Sequence, residues 1–200
     1  LQYSRGCPFN CDFCNVTSML GHKVRTKDTG QIIAELESLY RHKWRGDVFF
    51  VDDNFIGKRS VLKTELLPAV IKWMQERDFP FAFNTQVSLD MVDDDELMDM
   101  MARAGFNCVF IGIESPSNSA LTECSKVQNT GRDIVAAVKK IQKYGMQVQG
   151  GFILGFDHDK KGVFDRLITL IQDSGLIMAM VGLLNAPYRT RLYERMKKQN

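Results

Sequence analysis

Short apolar segments alternate with longer amphipathic segments along the whole chain. The apolar segments predict six β-strands, at residues 1–6, 48–54, 81–86, 108–115, 148–156 and 176–185. The amphipathic segments predict six helices, at residues 29–43, 60–77, 93–104, 130–144, 161–174 and 189–198. The chain is therefore interpreted as a succession of six strand–helix units.

The predicted helix boundaries carry residue types that begin and end helices. The expected N-caps are Asp28 or Thr29, Ser60 and Thr130, because short polar side chains can accept from free backbone N–H groups. The expected C-terminal glycines, which tolerate positive φ, are Gly105, Gly145 and Gly175. Each of these glycines stands between a helical pattern and a strand, which supports the alternation.

The predicted strands are apolar at consecutive positions, which indicates burial on both faces and a parallel sheet covered by helices. Six such units predict the α/β class, as a partial (β/α)6 barrel of the TIM type with outer helices. A doubly wound open sheet is the less favoured alternative. In both folds, ligands bind at the carboxyl ends of the strands.

Polar or small residues follow every predicted strand, so the carboxyl edge of the sheet is expected to form a polar rim. After the first strand comes a cysteine-rich loop. The other five predicted strands end in Asp52, Asp53 and Asn54, in Asn84 to Gln86, in Glu114 and Ser115, in Gly155 to Asp157, and in Asn185 to Pro187. A ligand site is predicted at this rim, beside the cysteines.

Three of the five cysteines, Cys7, Cys11 and Cys14, are spaced C-x3-C-x2-C in one loop. An odd, clustered set fits a metal in a reducing compartment better than a secreted disulfide framework. Three thiolates would leave one iron of an iron–sulfur cube open, whereas four ligands would close a tetrahedral zinc site. Structural zinc with His22 as fourth ligand stays open as the alternative. Cys108 and Cys124 are expected to be structural.

The formal net charge of +2 and the sequence pI of about 8.3 do not favour a nucleic acid or an anionic membrane as partner. No apolar run reaches the roughly 20 residues of a membrane span, and no leader pattern is recognised, so a cytoplasmic location is expected. The chain begins on a strand pattern and stops inside a helical one. Residues 1–200 are therefore expected to be one core domain cut from a longer protein.

The cysteine spacing, with Phe13 before the last cysteine and directly after the first strand of a βα barrel, resembles the radical S-adenosylmethionine (SAM) superfamily. The resemblance covers essentially the whole chain. It implies that Cys7, Cys11 and Cys14 hold a 4Fe-4S cluster, whose fourth iron binds the amino and carboxylate groups of SAM. It further implies that an electron from the cluster cleaves SAM to a 5′-deoxyadenosyl radical.

The same resemblance assigns SAM contacts along the rim. The backbone at Phe13 is expected near the adenine. Asp52, Asp53 and Asn54 stand where the family has a glycine-glycine-glutamate turn that meets the SAM amino group; this chain departs from that pattern, so the contact is open.

Four further contacts come from positions later in the chain. Glu114 matches the residue that takes the ribose hydroxyls, with a buried or capping glutamate as the alternative. Lys126 matches a basic position near the SAM carboxylate, with a surface lysine as the alternative. Gly155, in "GGFILGFD", and Asn185, in "LLNAP", match segments beside the adenine.

Within the superfamily, "RGCPFNCDFCNVTSMLGHKVRTKD" with "VDDNF", "GIESP" and "KVQN" is similar to cobalamin-binding members, such as hopanoid methylases and anaerobic magnesium-protoporphyrin ester cyclases. This implies an N-terminal cobalamin domain and a C-terminal extension outside these residues. It also implies a small-molecule, lipid or tetrapyrrole substrate, and flavodoxin or ferredoxin as electron donor. A methylthiotransferase-like protein and a zinc-stabilised βα binding module are the alternative functions.

Overall fold

The computed structural model describes residues 1–199. Its strands are β1 Ser4–Arg5, β2 Arg25–Thr26, β3 Gly46–Phe50, β4 Phe81–Val87, β5 Phe106–Glu114, β6 Gln147–Leu154 and β7 Met178–Leu183. The last five form one parallel sheet in chain order, and β1 pairs with β2 in a separate antiparallel ribbon. Residues from all of β3 to β7 line one concave cavity of about 730 Å³, so the sheet is curled into a partial barrel. The predicted fold class is confirmed.

Helices follow the strands of this sheet in chain order. They are α1 Val16–Leu20, α2 Thr29–Arg41, α3 Arg59–Val61, α4 Leu67–Gln75, α5 Asp95–Ala104, α6 Asn118–Glu123, α7 Ile134–Lys143, α8 Val163–Ser174 and α9 Arg191–Gln199. A π-helical turn, Leu62–Leu66, joins α3 to α4 and gives the long helix predicted there. No helix within residues 1–199 has the length and apolar character needed to cross a bilayer.

The main core lies between the convex face of the sheet and the helices. The rings of Phe50, Phe83 and Phe106 meet in it with centroids 5.3–5.6 Å apart. Val109 and Ile111 of β5 are fully buried beside them. Edge-to-face and tilted aromatic contacts of this kind fix side-chain positions as well as excluding water. This cluster therefore packs β3, β4 and β5 against one another.

The expectation that both sheet faces are buried is wrong. The strand β4 alternates between buried and half-buried positions, and its half-buried side chains face the concave cavity. Polar side chains line this cavity from four strands: Asp47, Asn84, Gln86, Asn107, Gln147 and Gln149. The sheet closes only part of a barrel, so its inner face remains open and polar.

The first predicted strand is much shorter than expected. The Leu1 ammonium donates to Phe49 O and the Val51 N–H donates to Leu1 O, both at 2.8 Å, in the pattern of a parallel pair with β3. The N–H groups of Tyr3 and Ser4 donate instead to the Asp52 carboxylate. Because those donors are taken, the chain leaves β3 and the sheet has five strands.

The helix caps are partly as predicted. Asp28 caps α2 in a capping box with Gln31. Thr130 is not a cap, because α7 begins later, where the Asp133 carboxylate accepts from Ala136 N. Ser60 is not a cap either, since it lies inside α3. The three glycines have positive φ as predicted: Gly105 +100°, Gly145 +84° and Gly175 +67°.

Candidate metal centre

The cysteine loop follows β1 and is held against residues 21–24. Gly6 has φ +98°, and a Cβ at this position would come within 2.8 Å of Lys23 O. The Cys7 N–H donates to Gly21 O at 3.3 Å, and the Cys14 N–H donates to Cys11 O at 3.2 Å. A glycine is therefore needed where the chain turns into the loop.

The three thiols lie around one cavity of about 180 Å³ at the carboxyl ends of β4 and β5. Several predicted site residues line the same cavity, namely Phe13, Asp53, Asn54, Glu114 and Lys126. The structure therefore brings these residues together with Cys7, Cys11 and Cys14, although they come from separate parts of the sequence.

The donor set of this cavity suits a multinuclear iron–sulfur group. Burial raises the pKa of Cys7 and that of Cys14, and the neighbouring thiols raise both further. Crowded thiols become thiolates when a soft metal binds them. Within residues 1–199, no three His, Cys, Asp or Glu side chains are arranged to hold one metal ion. Three thiols around one cavity would each be able to hold a different iron of such a cluster.

The zinc alternative needs a fourth ligand close to the thiols. His22 is exposed and is not among the residues that line the cavity. The arrangement therefore does not favour the tetrahedral zinc site that the sequence left open.

An ion pair between Glu114 and Lys126 forms one wall of the cavity. Glu114 Oε1 and Lys126 Nζ are 2.8 Å apart, and the two side chains are 9% and 12% exposed. Glu114 has φ +69°, an uncommon conformation for a residue with a side chain, at an irregularity in the β5–β6 register. A Cβ at Gly112 would collide with Glu114 Oε1. The strained backbone and this glycine together let the carboxylate reach into the cavity.

Lys126 is not the surface lysine that the sequence allowed. Burial opposes its charge, but the Glu114 carboxylate and the nearby thiols hold the pKa of Lys126 above its usual range. Its loop is fixed from both sides: Asn129 Nδ2 donates to Gly112 O at 2.9 Å, and Asp12 N donates to Cys124 O at 2.9 Å. A positive charge is therefore held beside the thiols.

Phe13 belongs to a second, smaller core that ties the cysteine loop to the sheet. Its ring packs against a buried group formed by Ala120, Cys124 and Phe156. Burial raises the pKa of the Cys124 thiol to about 12, which keeps it neutral in this core. Cys124 is thus structural, as expected.

Asp52, Gly155 and Asn185 do not line the cavity. The Asp52 carboxylate is fully buried and accepts from Tyr3 N at 2.9 Å, from Ser4 N, and from Ser4 Oγ at 2.5 Å. Burial raises the pKa of Asp52, and its hydrogen bonds act against that rise. Asp52 therefore anchors the segment that leads into Cys7.

Gly155 and Asn185 lie at the carboxyl ends of β6 and β7. The Gly155 N–H donates to Asp159 Oδ2 at 2.8 Å, and the N–H of Leu184, which precedes Asn185, donates to Leu154 O at 2.8 Å. They share the rim with the thiols but stand outside the cysteine cavity.

Alanine at Asp52 is expected to destabilise the protein by about 2–3 kcal/mol, because it leaves two buried N–H groups without an acceptor. Urea unfolding of the variant checks this value. Asp53→Ala is the matched control. The Asp53 carboxylate is exposed, so its removal should destabilise the protein by less than about 0.5 kcal/mol. Equal stability of the two variants would contradict the anchoring role.

Two residues, Ser88 and Gln128, reach the cavity through long-range contacts that no sequence pattern predicts. Asn54 Nδ2 donates to Ser88 Oγ at 3.2 Å, which links the ends of β3 and β4. Gln128 Nε2 lies 3.8 Å from Cys11 Sγ. No local pattern marked Ser88, and Gln128 carried a signal only as part of the quoted "KVQN" segment.

A curled parallel βα sheet with three thiols at its carboxyl edge defines a class of half-barrel proteins with a candidate cofactor site at that edge. Residues 1–171 match the family described as the radical SAM superfamily. The chain belongs to this superfamily, so the resemblance read from the cysteine loop is confirmed.

The chain is 42% identical over 200 residues to an uncharacterized methyltransferase of Synechocystis sp., covering 100% of this chain and 37% of that protein. It is 35% identical over 199 residues to hopanoid C-2 methylase of Rhodopseudomonas palustris, covering 100% of this chain and 38% of that protein. The chain therefore spans well under half the length of these relatives.

Among solved structures, the fold matches TsrM of Kitasatospora setae, a radical SAM methyltransferase solved with cobalamin and a 4Fe-4S cluster bound. The TM-score is 0.85, at 18% identity, covering 100% of this chain and 39% of TsrM. At that identity the likeness shows a shared fold.

Proposed function

We propose that the chain holds a 4Fe-4S cluster through Cys7, Cys11 and Cys14 and cleaves SAM reductively. The observation that supports this most is the set of three thiols around one cavity, beside the Glu114–Lys126 ion pair. Three thiolates leave one iron for SAM. When bound, the cluster supplies the electron that splits SAM into methionine and a 5′-deoxyadenosyl radical.

The charged wall of the cavity is proposed to orient SAM. Lys126 offers an ammonium to the SAM carboxylate, and Glu114 offers a carboxylate to the ribose hydroxyls. Their mutual 2.8 Å contact keeps both charges compensated before SAM arrives. Phe13, fixed in the small core, places its backbone for the adenine, whose other side is proposed to meet Gly155 and Asn185.

The SAM amino group is proposed to lie near Asp53 and Asn54, at the end of β3. Both line the cysteine cavity, and the Asn54 amide is held by Ser88. Asp52 is left out of this contact, because its carboxylate is committed to Tyr3 and Ser4.

The substrate is proposed to approach from the concave face of the sheet. The concave cavity of about 730 Å³ and the cysteine cavity share Gln86 and Phe110 as lining residues. A molecule in the larger cavity would therefore meet SAM at these two side chains. The face could admit a small molecule, or part of a lipid or tetrapyrrole, for methylation or oxidative cyclisation at an unactivated carbon.

Residues 1–200 are proposed to be the core domain of a cobalamin-dependent enzyme. Support comes from the relatives, which are more than twice as long as this chain, and from TsrM, whose structure holds cobalamin. Cobalamin would then be bound outside the residues described here. An iron–sulfur enzyme of this kind needs a reducing compartment, which favours the cytoplasm.

Anaerobic reconstitution with iron and sulfide tests the proposal. About four irons per chain, with an EPR spectrum of the reduced protein that changes on adding SAM, are expected of an open-site cluster. One zinc per chain, with no response to SAM, would instead support the zinc-stabilised binding module.

The electron is proposed to come from an acidic flavodoxin or ferredoxin that docks beside Cys7. Arg5 and Arg25 stand directly opposite each other in the β1–β2 ribbon, and both are exposed, as is Lys23. The guanidinium groups of Arg5 and Arg25 donate to neutral acceptors, including Gln2 Oε1 and Leu20 O. This basic surface lies next to the cysteine loop and would attract an anionic partner.

Glutamate at Arg25 is expected to slow cluster reduction by flavodoxin about tenfold at low salt, because steering is electrostatic. Stopped-flow rates at several ionic strengths measure this effect. Reduction by dithionite should keep its rate, and Lys139→Glu, an exposed charge change on α7, is the matched control. An unchanged flavodoxin rate in Arg25→Glu would place the docking surface elsewhere.

A further inference from the structure

We propose that Gln128 is a positioning residue that donates a hydrogen bond to the Cys11 thiolate and raises the reduction potential of the cluster. This inference rests on the proposed function, since it needs a cluster bound by Cys11. It adds a role for a residue that reaches neither SAM nor substrate in the proposal above.

The geometry places one amide against one sulfur. Gln128 is 7% exposed, and its Nε2 lies 3.8 Å from Cys11 Sγ, within the range of an N–H···S contact. Its Oε1 is buried and has no hydrogen-bond partner. Burying an amide with an unpartnered oxygen costs free energy, so packing alone does not account for this side chain.

The backbone around Gln128 is fixed independently of the side chain. Arg132 Nε donates to Gln128 O at 2.6 Å, and the Arg132 guanidinium binds Asp93 through two nitrogens, at 2.8 and 2.6 Å. The adjacent Asn129 donates to Gly112 O and to Ile113 O. Because these contacts do not involve the glutamine amide, the side chain can be exchanged while the loop stays in place.

The chemistry sets the direction of the effect. A thiolate bound to iron can only accept, and the amide Nε2 can only donate, so the contact is a hydrogen bond to sulfur. Reduction adds a negative charge to the cluster, and a donor dipole stabilises the more negative state more strongly. Hydrogen bonds to the sulfurs are among the factors that set cluster potentials. Gln128 should therefore make the cluster easier to reduce.

The test is an EPR-monitored redox titration of the reconstituted full-length protein carrying Gln128→Met. Methionine has a similar length and no donor. The equilibrium constant for one-electron reduction is expected to fall about tenfold, which corresponds to a potential lower by about 59 mV. Iron content should match the wild type. Gln86→Met is the matched control, since Gln86 lines the same cavity without a hydrogen bond to a sulfur, and it should leave the potential unchanged.

A second variant, Gln128→Glu, tests the same contact if Gln128→Met does not take up iron. Gln128→Glu keeps the shape of the side chain and replaces the donor with a carboxylate, so its potential should also fall. A wild-type potential in a fully loaded Gln128 variant, or an equal shift in Gln86→Met, would overturn the assignment and leave the proposed function standing. A wild-type protein that binds no cluster would overturn both.

Discussion

Serine in place of Cys7, Cys11 or Cys14 is expected to lower bound iron from about four per chain to below about one, and to abolish SAM cleavage. Each thiol lines the same cavity, and two thiolates would not hold a cube. Serine is close in size to cysteine, so the fold should survive. Iron and sulfide counting after anaerobic reconstitution measures the effect directly, without a known substrate.

Cys108→Ser is the matched control for these variants. Cys108 is half-buried on the concave face of the sheet, where burial and the Asp47 carboxylate raise its pKa. It lies outside the cysteine cavity, so its serine variant should load as much iron as the wild type. Full iron in a Cys7, Cys11 or Cys14 variant, or loss of iron in Cys108→Ser, would refute the ligand assignment.

The elements that sequence could predict are those specified by local patterns. The helix α2 has apolar residues at helical spacing and an Asp28–Gln31 capping box, and both features lie within the helix and its N-cap. The parallel order of the sheet follows from the repeated strand–helix alternation. The cysteine spacing is equally local, which is why it indicated the superfamily before any fold was known.

The features that the sequence did not predict depend on contacts between residues far apart in the chain. The first strand is shortened by the Asp52 carboxylate, which takes the Ser4 N–H across 48 positions. Gln128 meets Cys11 across 117 positions. The position of Asp52 in the "VDDNF" segment suggested a cofactor contact. In the structure its buried carboxylate instead accepts from the backbone N–H groups of Tyr3 and Ser4. Local periodicity carries no information on such pairs.

The sequence pattern also did not predict that the concave face of the sheet is open. Asn84 and Gln86 lie in a strand whose buried positions face the helices, so the segment is predicted correctly as a strand. Whether its other face is covered depends on how far the sheet closes, and that is a property of all five strands together. The open polar face therefore became visible only in the fold.

Methionine at Lys126 is expected to lower the free energy of unfolding by about 3 kcal/mol, because it leaves the Glu114 carboxylate buried without a compensating charge. Lys126 contributes one half of a pair in which both side chains are largely buried. The same change should weaken SAM binding to the reconstituted protein at least about tenfold, through loss of the ammonium proposed to meet the SAM carboxylate. Urea unfolding and equilibrium dialysis of SAM measure the two effects.

A double variant separates these two consequences. Adding Glu114→Gln to Lys126→Met removes the uncompensated charge, so most of the lost stability should return. SAM affinity should stay low, because the ammonium is still missing. Lys139→Met, an exposed lysine of α7, should change neither quantity. Recovery of SAM affinity together with stability would mean that the ion pair only shapes the cavity, and that another residue binds the SAM carboxylate.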